Sequence, residues 1–154
     1  MNNYTAKQNC TFDLFHYFQG NTHAWGIFED RFGNLKRSFS VRIIGVCQNN
    51  KLTLTEKFHY SDGIEETRVW IIQRDSSNNY TADTGDACDI AVGSQHSNYF
   101  KWHYKMKLSI GDKKYKVVFN DKLYPIDQSN VFNRATISKW GITLGTVSLF
   151  FKKI

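Results

Sequence analysis

Three arginines carry the clearest capacity for chemistry in this sequence, because each is in phase with apolar residues along a predicted strand. They are Arg37, Arg68 and Arg134. An unpaired guanidinium is too costly to keep in an apolar interior, so each would need a carboxylate, a water cluster or an anionic ligand. Arginine binds carboxylates through two parallel hydrogen bonds. We therefore expect the arginines to bind either a ligand's head group or carboxylates of the chain itself, namely Asp30, Glu56, Glu66 and Asp121.

The elements that would position these arginines are β-strands with one buried face. The stretch from Thr22 to Val46 shows the pattern, with Phe39, Val41 and Ile43 on one face and Ser38, Ser40 and Arg42 on the other. A period of two is typical of a half-buried strand. Gly33-Asn34 supplies the residues that tight hairpin turns prefer. The stretch is therefore predicted to be a β-hairpin.

The same alternation of strand and tight turn continues along the chain and predicts nine or ten antiparallel strands. Closing such a meander removes exposed strand edges. We therefore expect an all-β, up-and-down β-barrel of the lipocalin and fatty-acid-binding type, with a two-sheet sandwich as the alternative. Thr11 would cap a short N-terminal helix. Residues 1–10 are predicted to be a flexible N-terminus, and residues 11–154 a single barrel domain.

The sequence contains no pattern typical of a catalytic or metal site. It has no Gly-x-Ser-x-Gly elbow and no phosphate-binding glycine loop, and its five histidines lack metal-ligand spacing. The three cysteines, Cys10, Cys47 and Cys88, are widely separated, which argues against a disulfide framework. We therefore predict no catalytic residues, no metal and no cofactor, and a protein that is not an enzyme.

The chain is basic, with a net charge of +6. Several of its cations share one face of a predicted hairpin: Lys101, His103, Lys105, Lys107, Lys113, Lys114 and Lys116. The simplest interpretation is a solvated surface, and the partner that this face would otherwise suit is an anionic membrane surface. The aromatic residues between the lysines point to the opposite face, so we do not predict nucleic-acid binding. We expect a monomer.

The N-terminal residues contain no apolar run typical of a signal peptide, and no segment is long and apolar enough for a membrane span. As it stands, the sequence predicts a cytoplasmic protein. A protein whose signal had been removed would look the same and would belong to the cell envelope.

A series of motifs runs from Phe12 to Phe151. It includes Ala24-Trp25-Gly26, Asp30-Arg31, Asp62-Gly63 with Arg68 and Trp70, Trp102 with Tyr104, and Phe119, Asp121, Tyr124 and Asp127 leading into Asn133-Arg134-Ala135. In order and spacing these motifs resemble an uncharacterised bacterial family of unknown function, DUF family 3833, whose members are often labelled lipoproteins. The resemblance implies a lipocalin-like barrel and a place in the cell envelope, and it implies no particular reaction.

These observations predict a barrel that binds or carries a small apolar or amphipathic ligand, such as a fatty acid. The predicted ligand-binding residues are Arg37, Arg68, Arg134, Trp70, Tyr124 and Asn133. Asn133 and Arg134 would otherwise serve as a structural corner, since both side chains can bond backbone groups at a strand bend. The alternative function is a structural or interaction module whose interior is filled by the chain's own 12 Phe, 8 Tyr and 4 Trp side chains.

Overall fold

The computed structural model describes residues 12–85, 87, 89–110 and 112–154. The predicted flexible segment 1–10, Thr11 and Cys88 lie outside the described residues. The elements are one helix, α1 (Leu14–Phe18), and ten strands: β1 (Gly20–Asp30), β2 (Leu35–Gln48), β3 (Lys51–Tyr60), β4 (Glu65–Arg74), β5 (Asn79–Asp83), β6 (Ala91–Gln95), β7 (Phe100–Ile110), β8 (Lys113–Pro125), β9 (Asn130–Lys139) and β10 (Ile142–Lys153).

The strands form one closed barrel in which each strand pairs with its neighbours in sequence. All of these pairs are antiparallel, and β1 pairs with β10 to complete the wall. The predicted up-and-down barrel is confirmed, and the two-sheet sandwich is wrong. Short turns enforce this order, because a strand that reverses within a few residues can only lie beside the one before it.

Side chains alternate between the interior and the outer face along the strands. In β2, Val41 and Ile43 are buried, whereas Arg42 and Ile44 are exposed. Phe39 is partly buried and packs against the buried core. The predicted period of two is confirmed, and it lets the sequence of each strand indicate which residues face inward.

The helix α1 closes one end of the barrel. Asp13 is its N-cap, because its side chain accepts hydrogen bonds from the backbone N–H groups of Phe15 and His16. The predicted cap, Thr11, is therefore not the residue that starts this helix. Leu14 and Phe18 are buried among the ends of the strands. A side chain at Gly45 would overlap the backbone carbonyl of Phe18, so a glycine is needed where α1 crosses β2.

The last strand holds this helix in place. The Lys153 ammonium donates hydrogen bonds to the backbone carbonyls of His16, Tyr17 and Gln19. These are carbonyls that a helix end leaves without intrahelical partners. The part of the chain that the structure describes has no helix with the length and hydropathy needed to cross a membrane.

The opposite end of the barrel, called the mouth, carries the turns at 31–34, 61–64 and 140–141. The wall is lower on one side, because β5 and β6 have only five residues each. The β4–β5 pairing runs from Ile71 to Arg74, and the β6–β7 pairing runs from Phe100 to His103. On this side, the mouth-side halves of β4 and β7 therefore have no strand partner among the described residues, apart from one isolated bridge from Ala87 to Met106. We call this side the low wall.

Candidate functional site

A group of polar side chains lies inside the barrel, on the inward faces of five strands. This inner polar cluster consists of Glu56, Arg68, Tyr104, Asp121 and Asn133. The period of two places each of them inside, since each is in phase with core residues of its own strand. Asp121 is only 7% exposed and Asn133 only 6%. Polar groups buried to this degree require partners, so their hydrogen bonds define what the cluster can bind.

Glu56 and Arg68 lie directly opposite each other in the β3–β4 pairing. The Nη2 atom of Arg68 is 2.8 Å from Oε1 of Glu66. Burial raises the pKa of Glu56 to about 7, although the charge of Arg68 and a hydrogen bond from Trp70 act to lower it. Glu56 is therefore partly protonated near neutral pH, and its carboxyl group can donate as well as accept a hydrogen bond.

Asp121 is the second buried carboxyl group. The Tyr104 hydroxyl donates to its Oδ2 atom over 3.2 Å. Burial raises the pKa of Asp121 to about 7, hydrogen bonds from Tyr104 and Asn133 lower it, and the nearby charge of Glu56 raises it. Burial, and then the charge of Asp121, raise the pKa of Tyr104 well above its ordinary value. Tyr104 therefore remains a hydrogen-bond donor at physiological pH.

Two acceptor atoms of this cluster are open. Oδ1 of Asp121 and Oδ1 of Asn133 are buried, and neither accepts a hydrogen bond from the residues that the structure describes. Leaving a buried polar group without a partner costs about 1–3 kcal/mol. A ligand that places N–H or O–H groups beside these two atoms would remove that cost.

At the mouth, Arg37 already has partners. Its Nη2 atom is 3.1 Å from Oδ2 of Asp62, and its guanidinium lies 3.4 Å from the centre of the Tyr60 ring. Tyr60 in turn donates to Oε2 of Glu66 over 3.0 Å, and burial raises the pKa of Tyr60 to about 12. Nη2 of Arg37 and Nη2 of Arg68 are thus both paired with carboxylates, whereas the buried Nε–H group of each arginine has no partner among the described residues. An anionic ligand could bind these Nε–H groups without displacing Asp62 or Glu66.

Aromatic rings surround the inner polar cluster. Tyr104 stacks on Phe119 with 4.9 Å between ring centres, and Trp70 meets Tyr104 edge to face at 5.5 Å. Trp70 lies on β4 and Tyr104 on β7, the two strands that border the low wall. These rings form an apolar surface beside the polar atoms, which is the combination that amphipathic ligands require. Among the described residues, no group of three or more His, Cys, Asp or Glu side chains is arranged to hold a metal ion.

Comparison with known families places this fold and site in context. Residues 1–153 match the family described as "Protein of unknown function (DUF3833)". The chain belongs to the DUF3833 family. The resemblance inferred from its motifs is confirmed. No functionally curated protein matches the sequence.

A solved structure with a similar fold is that of the S-type phycobiliprotein lyase CPES from Guillardia theta. The TM-score is 0.61, the sequence identity is 7%, and the match covers 89% of the DUF3833 chain and 87% of the lyase chain. At this identity the likeness shows the fold alone, a closed antiparallel β-barrel. Because that relative is named as a lyase, the fold gives no support to the prediction that the DUF3833 chain is not an enzyme.

The six predicted ligand-binding residues divide between the two faces of the wall. Four of them face the interior: Arg37, Arg68, Trp70 and Asn133. Arg68 lies opposite Glu56 in the strand pairing, and Asn133 hydrogen-bonds Asp121. Arg134 is exposed, between buried Asn133 and Ala135, so its predicted inward direction is wrong. Tyr124 likewise lies on the outer face, directly opposite Phe132. Its predicted part in an internal site is also wrong, because its neighbour Leu123 occupies the inward position.

The predicted set omits the two carboxyl groups whose pKa values burial raises to about 7. Glu56 and Asp121 were expected only as counter-ions for arginine. Of the expected carboxylates, Glu66 does pair with Arg68, whereas Arg37 pairs with Asp62 of a turn. A signal for Glu56 was present, because it is in phase with Leu54 and Phe58. A carboxylate at an inward strand position is itself evidence for a polar site.

Proposed function

We propose that this protein binds a small amphipathic ligand inside its barrel and carries it without altering it. The observation that carries the proposal is the pair of buried open acceptors, Oδ1 of Asp121 and Oδ1 of Asn133. A barrel of this size encloses at most one small ligand.

The polar end of the ligand would meet the inner polar cluster. The two open acceptors suit hydrogen-bond donors, whereas the buried Nε–H groups of Arg37 and Arg68, which have no partner among the described residues, suit an acceptor such as a carboxylate. The Glu56 carboxyl adds a group that can donate or accept, given its pKa of about 7. We therefore infer a ligand whose polar part carries both N–H or O–H groups and an acceptor; an ionised fatty acid would satisfy the arginines alone.

The apolar part of the ligand would lie against Trp70, Tyr104 and Phe119. A ligand that enters past the low wall needs less rearrangement than one that enters elsewhere. The pairings of β4 with β5 and of β6 with β7 cover only the half of the barrel nearest α1. The rings of Trp70 and Tyr104 would have to turn to admit a ligand, and both are only partly buried. The likeness to a protein named as a phycobiliprotein lyase supports a ligand in the barrel only by analogy of fold.

The test compares two adjacent residues that point in opposite directions. Native mass spectrometry of protein purified from cells, followed by extraction of small molecules, should reveal a bound compound. Asn133→Leu, which removes an open acceptor, should reduce its occupancy at least about tenfold, the effect expected for one lost buried hydrogen bond. Arg134→Leu, on the outer face, should leave it unchanged.

Three results would each contradict a different part of the proposal. If no compound co-purifies and no fluorescent fatty acid or other apolar probe binds, the carrier function is wrong. If the compound binds but its mass changes on incubation with the protein, carriage without reaction is wrong. Equal occupancy in the two variants would mean that the ligand lies elsewhere.

A filled barrel with no ligand is the second candidate, and the inward glycines favour it. A methyl group at Gly26 would overlap Phe39 and Leu149, and one at Gly93 would overlap the rings of Trp102 and Phe100. The aromatic side chains thus occupy the space that these glycines leave. Under this alternative the protein is a structural or interaction module. Gly93→Ala would then lower stability, and no apolar probe would bind before or after the change.

A further inference from the structure

A row of four aromatic side chains crosses the outer wall of the barrel, apart from the proposed ligand site. The row runs over β8, β9, β10 and β1, and each residue lies directly opposite the next in the strand pairing: Tyr124, Phe132, Phe150 and Trp25. Trp25 is 46% exposed and Phe150 is 40% exposed. The last three line an open groove of about 580 Å³. We call these four residues the outer aromatic row.

Cations flank this row on both sides. Two residues away along the strands, Lys101, Lys122 and Arg134 lie opposite one another on β7, β8 and β9. On the other side, Lys152, His23, Arg42 and Lys57 continue in the same way over β10, β1, β2 and β3. We call these two sets the basic rows. Their Lys and Arg side chains are all exposed, and none pairs with a carboxylate of a described residue.

The outer aromatic row and the two basic rows lie close enough together to form one surface. Paired strands lie about 4.8 Å apart, and positions two residues apart on a strand are separated by about 7 Å. On the four strands that carry the aromatic row, the basic residues Lys122, Arg134, Lys152 and His23 are therefore within reach of the same flat object that touches the rings, whereas Lys101, Arg42 and Lys57 lie farther round the barrel. The other outward positions between the cations and the rings are neutral, such as Ser40 and Ser148.

We propose that this face docks on the surface of an anionic phospholipid bilayer. Trp and Tyr favour the boundary between head groups and acyl chains, because their rings have an apolar body and a polar edge. Lys and Arg are attracted to the negative surface of such a bilayer. Exposed aromatic residues between two rows of unpaired cations match both properties at once.

The geometry favours a bilayer over a nucleic-acid strand. Proteins that bind single strands stack bases on free ring faces within a positively charged groove. Here the ring of His23 covers one face of Trp25, with 4.3 Å between their centres. The rings are also at least half buried. Rings held in this way present edges and apolar surface to a broad partner.

Docking by this face leaves the proposed ligand site free. In the order of strands around the barrel, β1 and β10 lie opposite β5 and β6, which form the low wall. The low wall would therefore point away from the bilayer. The docking surface and the ligand site share no residue, so each is tested separately.

The experiment measures binding of the full chain to vesicles of phosphatidylcholine alone and of phosphatidylcholine with phosphatidylglycerol, at low and high salt. We expect binding only to the anionic vesicles, weakened by salt. Lys122→Glu/Arg134→Glu should weaken binding by at least about thirtyfold, from the loss of two attractions. The control variant Lys113→Glu/Lys114→Glu makes the same change in net charge near the mouth. It should weaken binding to the anionic vesicles by less than about fivefold.

Fluorescence gives a second measurement of the same contact. Emission from Trp25 should shift to shorter wavelength when anionic vesicles are added, and Trp25→Phe should remove that shift while preserving binding. Thermal unfolding checks that each variant is folded. If Lys122→Glu/Arg134→Glu unfolds, Arg42→Glu/Lys152→Glu tests the other basic row.

The proposal is overturned if the vesicles are not bound, if neutral and anionic vesicles bind equally, or if both charge-reversed pairs lose the same affinity. Preferential binding of a short DNA or RNA oligonucleotide through Lys122 and Arg134 would also overturn it, and would identify a nucleic-acid surface instead.

Discussion

Two parts of the barrel interior are filled by different chemistry. Near α1 the interior is apolar and closely packed, with Leu14, Leu52, Phe100 and Val131 at most 1% exposed. Farther from α1, inward positions carry two arginines, buried carboxyl groups and open acceptors, beside a second apolar cluster of Met106, Val117 and Ile137 on β7, β8 and β9. Buried apolar surface stabilises the folded state, whereas buried polar groups without partners destabilise it. The apolar interior near α1 therefore supplies stability that offsets the cost of the polar site.

The strongest test of this contrast is Phe100→Ala. Phe100 is fully buried and packs against Tyr80 and Trp102, with ring centres 5.0 and 4.9 Å away. Its removal should lower the free energy of unfolding by about 3–5 kcal/mol, measured by urea denaturation. The matched control is Phe32→Ala in an exposed turn, where 74% of the residue is accessible, and the change should be within about 0.5 kcal/mol. Similar losses at both sites would contradict the apolar end as the source of stability.

The next largest effect should appear in the pH dependence of stability. Burial raises the pKa values of Glu56 and Asp121 to about 7, above those of an unfolded chain. Between pH 5 and 8 the folded protein therefore keeps protons that the unfolded chain has lost, and stability falls as pH rises. Urea denaturation should give a free energy of unfolding about 5 kcal/mol higher at pH 5 than at pH 8.

The variant Glu56→Gln tests whether Glu56 causes this pH dependence of stability. Glutamine cannot ionise, so the variant should exceed the wild type in stability at pH 8 and show a flatter pH profile. Arg68 keeps Glu66 as its partner in this variant. Asp75→Asn, at an exposed carboxylate that forms no ion pair with a described residue, should keep the wild-type profile. A wild-type stability that rises from pH 5 to pH 8 would show that these carboxyl groups are not the buried, destabilising pair described above.

A smaller effect is expected where α1 starts. Asp13→Ala removes the N-cap and the contact between Oδ1 of Asp13 and Nη2 of Arg74, which spans 3.1 Å. The free energy of unfolding should fall by about 1 kcal/mol. Asp13→Asn should recover most of the loss, because an asparagine oxygen also accepts from the helix N–H groups. Failure of asparagine to recover stability would assign the effect to the ion pair.

The smallest effect should come from the mouth. Asp62→Asn weakens the ion pair with Arg37. Both side chains are partly exposed, 33% for Arg37 and 48% for Asp62. Exposed ion pairs contribute at most about 1 kcal/mol, so stability should change by less than that in thermal or urea unfolding. A larger loss would mean that the mouth carries part of the stability assigned here to the helix end.

Much of the fold followed from local pattern, because a period of two and short turns leave few ways to pair the strands. The same pattern placed Arg37 and Arg68 inside correctly, because each was aligned with residues that do face inward, Phe39 on β2 and Trp70 on β4. It failed for Arg134 because Phe132, which set the predicted phase, is the one apolar residue on the outer face of β9, whereas Val131, Ala135 and Ile137 lie inside. A single outward aromatic residue is enough to assign the wrong phase to a strand.

The remaining features depend on how distant strands align. The outer aromatic row exists only because Trp25 on β1 falls opposite Phe150 on β10, and no short stretch of sequence contains that register. The raised pKa values of Glu56 and Asp121 depend on burial by several strands. The pairing of Arg37 with Asp62 joins a strand to a turn across the mouth. Sequence supplies the residues in each case, and the closed wall brings them together.

Closure between β1 and β10 also has a consequence for how the chain reaches its native state. The first strand finds one of its two neighbours only when the last strand is available, so β1 keeps an open edge through most of the folding reaction. Contacts so far apart in sequence slow folding, and an open edge in the meantime can pair with another chain. Conditions that delay the arrival of β10 should therefore favour aggregation over the native barrel.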